Sequence, residues 1–88
     1  MRELPDIKWT IEGERANAFK FSAAYKQFRA EIISIFPSSE QFGGHDRQWW
    51  VTQDRAGETL TIAYGLCTGT ETAQTIVAAV IEAMDRSL

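Results

Sequence analysis

The chain has one cysteine and one histidine in 88 residues, and each scarcity closes off a line of chemistry. Cys67 alone cannot form an internal disulfide, which fits a reducing compartment. One His and one Cys without paired ligand spacing do not make a closed zinc site. Apolar runs fall well short of the roughly 20 residues a membrane helix needs. Met1-Arg2-Glu3-Leu4-Pro5-Asp6 is charged and lacks a hydrophobic leader pattern, so a cytoplasmic location without membrane contact is expected. Gly43-Gly44 lacks the spacing and the following Lys-Ser/Thr of a phosphate loop. His45 beside Asp46 invites proton transfer, since a carboxylate can orient an imidazole. Scattered serines, threonines and Cys67 carry no signature that places a nucleophile near it. The expectation is a protein that is not an enzyme, with no cofactor and no metal.

What is present is an ordinary globular composition, 44% hydrophobic and 24% charged. No linker, repeat or low-complexity stretch divides it, so residues 1–88 are expected to form a single domain. The net charge of −3 is uneven. Basic residues concentrate before residue 32 (Arg2, Lys8, Arg15, Lys20, Lys26, Arg29). Beyond it Arg47, Arg55 and Arg86 face Glu40, Asp46, Asp54, Glu58, Glu71, Glu82 and Asp85. The acidic later half discourages non-specific phosphate binding but leaves room for a local basic face.

Residues 7–12 alternate strictly, with Ile7, Trp9 and Ile11 on one side, as in a half-buried strand. Gly13 opens a polar turn and residues 18–21 alternate again, which predicts a hairpin. Ser22 can cap a helix carrying Tyr25, Phe28, Ile32 and Ile35, ended by Pro37. A glycine hinge then leads to a strand over residues 47–52. Residues 54–66 read either as a hairpin turn and fourth strand or as a short helix capped by Asp54. The final helix is clearer: Thr68-Gly69-Thr70-Glu71 has capping-box spacing, and Ala73, Val77, Val80, Ile81 and Met84 form a stripe. The expected fold class is α+β, a small antiparallel sheet of three or four strands on two helices in ββαββα order.

Trp49-Trp50 is the most informative dipeptide. Neighbours on a strand point to opposite faces, so one tryptophan enters a one-sided core and the other needs a different cover. Residues 28–51 resemble the HARP-like domain, an accessory module of annealing helicases that is also found in short prokaryotic proteins. The resemblance rests on Phe36-Pro37-Ser38, then Phe42, then Arg47-Gln48-Trp49-Trp50-Val51. It implies that Phe42 and Trp49 pack together beside Val51, that a helix follows the tryptophan strand, and that the work is nucleic-acid-associated. The chain departs from the family at Gly43, where an Asp or Asn is usual, and at Trp50, where a polar residue is usual.

Trp50 is therefore the candidate partner-binding residue, with Arg47, Lys20 and His45 beside it. Trp and Arg are enriched among interface hot spots, and a tryptophan can equally stack a base while Lys20 and Arg47 meet phosphates. Two functions are expected to compete. One is a small protein-interaction module, an inhibitor or regulator of the kind phages and mobile elements encode, acting on a partner protein. The other is a HARP-like module for single-stranded or forked DNA. A homodimer is compatible with both.

Overall fold

Period-two alternation governs most of the described residues, which form a meander of five antiparallel strands followed by one helix. The computed structural model describes residues 4–15, 18–35 and 44–87. The strands are β1 (Thr10–Arg15), β2 (Ala18–Tyr25), β3 (Phe28–Ser34), β4 (Arg47–Arg55) and β5 (Glu58–Cys67), and the helix is α1 (Thr70–Arg86). Their spatial order equals their chain order, so β1 and β5 are the two edges.

One face of the sheet carries the core. Phe28, Ala30 and Ile32 on β3 stand across from Gln53, Val51 and Trp49 on β4, and all six are buried. Ala73, Val77 and Ile81 recur at helical spacing on α1 and close over them, with Cys67 at the end of β5. Ile7 and Trp9 lead into β1 and pack on the same core, continuing the side that the strict alternation assigns them. Trp49 is 8% exposed and lies against Gly65, its cross-strand partner. A Cβ at residue 65 would stand 2.9 Å from Trp49 Cζ2, so that position accepts only glycine without displacing the indole. Its Nε1 is buried with no hydrogen-bond partner among the described residues.

The ββαββα arrangement on two helices is overturned: the segment expected to be the first helix is the end of β2, a turn and β3. Tyr25, Phe28 and Ile32 do recur at intervals of three and four. Phe28, Ala30 and Ile32 also alternate with Arg29 and Glu31, and the sheet realises that second pattern. Ser22 pairs with Glu31 inside the ladder and caps nothing. The turn is Lys26-Gln27, with Lys26 at φ 54 and no glycine to announce it. The Lys26 ammonium reaches Asp85 near the end of α1 at 2.8 Å, tying this turn to the helix. Pro37 and Phe42 lie outside the described residues.

Residues 54–66 resolve as turn and strand: Ala56 and Gly57 both have positive φ, the geometry of a tight primed hairpin turn. The first hairpin forms as expected, although β1 continues through Gly13 instead of turning there. The stripe on α1 is as the periodicity predicts, but the capping box is absent. Gly69 is the N-cap and no side chain on the helix's own first turn caps it. Asp46 does part of that work from outside, its Oδ1 accepting the Gly69 N–H at 3.0 Å.

Candidate functional site

Opposite the core, the second face of the sheet has no described element packed on it. β4 sets its centre. Trp49, Val51 and Gln53 turn to the helix, so Gln48, Trp50 and Thr52 turn away. Trp50 pairs with Glu31 on β3 and with Tyr64 on β5, placing the three side chains in one row across the open face. Ile33, Gln48 and Leu66 form the next row. Trp50 is half-buried by these neighbours, whereas Tyr64 is 75% exposed and Leu66 is 40% exposed. The result is a Trp-Tyr-Leu surface on the strands furthest from β1.

Toward β1 the same face becomes polar and concave. A depression of about 390 Å³ is lined by Lys8, Thr10, Glu12, Lys20, Arg29 and Glu31 among others. The Lys20 ammonium lies 2.6 Å from Glu31 and 3.9 Å from Glu12. Its pKa is held above the ordinary lysine value, chiefly by the hydrogen bond to Glu31 and then by that carboxylate's charge. Arg29 is 3.7 Å from Asp54. Basic and acidic groups on this face are thus interleaved, and among the described residues no uniformly basic track forms beside Trp50.

The four residues expected to act together are separated. Trp50 and Lys20 share the open face, in adjacent rows. Arg47 lies two residues before Trp49 and takes the opposite face. Its Nε donates to Thr70 Oγ1 at 3.0 Å, and its Nη1 donates to the Asp46 carbonyl at 2.9 Å. Its guanidinium carbon lies 4.6 Å from the Phe19 ring centroid. With a side chain only 17% exposed, Arg47 binds the start of β4 to the start of α1. His45 is drawn to the same end, its Nδ1 lying 3.2 Å from Thr68 Oγ1. The Asp46 carboxylate engages the Gly69 N–H and Arg47, so it does not serve as an orienting partner for His45.

Cys67 is buried, and that burial, followed by the nearby Asp46 charge, pushes its thiol above the ordinary cysteine value. A thiol in that setting is a poor nucleophile at neutral pH. Among the described residues no three His, Cys, Asp or Glu side chains gather as a metal site. No described helix is long and apolar enough to cross a membrane. Tyr64 and Glu31, which complete the Trp50 row, were not singled out from sequence. Strict alternation over residues 59–64 sets Tyr64 on the side of Leu60; the register shift at Ile62 turns it to the open face instead, and both that shift and the strand that lies beside Trp50 are tertiary facts.

Compared with family models, curated proteins and solved structures, the chain matches none of them.

Proposed function

We propose that this protein is a small non-enzymatic interaction module, of the inhibitor or regulator type, that binds a partner protein through the open face centred on Trp50. The observation that carries the reading is the Trp50–Tyr64–Leu66 surface, in which Tyr64 and Leu66 are exposed around a half-buried Trp50, on a face that no described element covers. Large aromatics placed this way act as interface anchors, because they bury much area at little entropy cost. The interleaved charges toward β1 supply a polar rim that favours one orientation of a partner.

The nucleic-acid reading draws less support. Arg47 is committed to the helix side and Lys20 to Glu31, so the two cations invoked for phosphate contacts are already engaged. The test is a capture experiment with three baits: wild type, Trp50→Ala/Tyr64→Ala, and Glu71→Ala on the helix side as a surface control. The recovered protein is then purified and its affinity measured directly. The reading expects one stoichiometric partner whose affinity falls at least about tenfold with the double variant alone. Binding to single-stranded DNA that weakens steeply with salt, with no protein partner, would replace it by the nucleic-acid reading.

A further inference from the structure

The two edges of the sheet are unlike. β1 is short, six residues, and its pairing with β2 is interrupted between Glu12 and Arg15 around Gly13. Short length and charge, here Glu12, Glu14 and Arg15 within six residues, are devices by which edge strands resist pairing with other chains. β5 has ten residues, Glu-Thr-Leu-Thr-Ile-Ala-Tyr-Gly-Leu-Cys, with no Lys, Arg or Pro, and among the described residues its only neighbour in the sheet is β4. Its outer row of backbone N–H and C=O groups is a template for another strand.

The β5 pattern names the strand that fits. Its register against β4 shifts at one place: Ala63 pairs with Val51 and Thr61 with Thr52, leaving Ile62 as the extra residue of a bulge. Ile62 and Ala63 both pack against the core. Outward from that pair, Thr61 and Tyr64 take the open face, Leu60 and Gly65 the helix face, and Thr59 and Leu66 the open face again. The pattern of faces is therefore a palindrome about the Ile62–Ala63 bond.

We propose that β5 is the seam of a homodimer, pairing antiparallel with β5 of a second copy about that centre. In this register Ile62 stands opposite Ala63, Thr61 opposite Tyr64, Leu60 opposite Gly65 and Thr59 opposite Leu66. Every pair keeps to one face and joins a larger side chain to a smaller one, and Glu58 meets Cys67, so no like charges oppose each other. A register displaced by one residue would set helix-facing positions against open-facing ones along the seam. The interface is isologous, as a two-fold dimer requires. Both copies of α1 then lie on one side of a continuous sheet, and both Trp50–Tyr64 surfaces lie on the other. The dimer does not depend on the partner reading above.

The test is sedimentation equilibrium of the purified full chain, without any partner, from micromolar to sub-millimolar concentration. Wild type is expected to approach twice the chain mass. Thr61→Lys, an exposed edge substitution, is expected to weaken dimerisation at least tenfold with an unchanged far-UV spectrum. Thr61→Cys/Tyr64→Cys in a Cys67→Ala background is expected to form an interchain disulfide on mild oxidation, because residues 61 and 64 meet only across the seam. A wild-type chain that stays monomeric throughout would overturn the proposal. So would a dimer that tolerates Thr61→Lys but is lost in Trp50→Ala, which would place the contact on the open face.

Discussion

Substituting Gly65→Ala adds one methyl group beneath the largest side chain of the core. The new Cβ would lie 2.9, 3.0 and 3.1 Å from Cζ2, Cε2 and Nε1 of Trp49, all on the indole body and none at a flexible tip. Trp49 is hemmed in by Ile32 across β3 and by the helix-side core, so the ring has little room to give. Overpacking of this kind costs about 1–3 kcal/mol. Replacing glycine within a strand returns roughly 0.4–1 kcal/mol by restricting the unfolded chain. Taking the middle of each range, the balance is a loss of about 1.3 kcal/mol, or a Tm lower by roughly 5–10 °C for a domain of this size. Urea unfolding followed by tryptophan fluorescence measures it. In a Trp49→Val background no ring remains at this site, so the same glycine substitution should cost nothing or stabilise slightly. The packing account is refuted if Gly65→Ala is as stable as wild type, or if its cost is unchanged in that background.

Other outcomes follow from the same geometry. Asp46→Ala removes the acceptor for the Gly69 N–H, and should cost about 1–2 kcal/mol in thermal or urea unfolding, as loss of a helix cap does. Arg47→Ala should lower the Tm measurably, because its guanidinium joins β4 to Thr70 and covers Phe19; a neutral result would return Arg47 to the list of binding residues. Lys20 and Lys26 have raised pKa values, through Glu31 and Asp85 respectively, so the stability they add is present below the unfolded lysine value of 10.5 and is lost as pH rises past the folded one. Glu31→Gln/Asp85→Asn should therefore flatten the alkaline limb of a pH–stability curve. Cys67 should react slowly with a thiol reagent at neutral pH in the native protein and rapidly in urea.

The sequence and the fold agree where one period dominates. The stripe of Ala73, Val77 and Ile81 can only be a helix, and the parity of residues 47–52 separates Trp49 from Trp50. That same parity places Arg47 with Trp49, against its grouping with Trp50 as a binding residue. Ambiguity arises over residues 22–35, where Tyr25, Phe28 and Ile32 satisfy a helical spacing while Ala30, small and apolar, hides the alternation. The turn at Lys26-Gln27 has none of the residues that favour positive φ, so nothing local breaks the helical reading. The Gly65 contact and the row formed by Glu31, Trp50 and Tyr64 depend on which strands become neighbours, and no local pattern holds that information.

The central claim is that adjacent tryptophans do opposite work, Trp49 holding the core and Trp50 facing outward from the uncovered side. Urea unfolding of Trp49→Ala and Trp50→Ala, run as a pair, tests it most directly. Trp49→Ala should lose about 3–5 kcal/mol, the cost of emptying a buried aromatic site. Trp50→Ala, which loses a cross-strand pair on each side, should lose about 2 kcal/mol or less. Equal losses, or a larger loss at Trp50, would contradict the assignment of faces and the binding surface built on it.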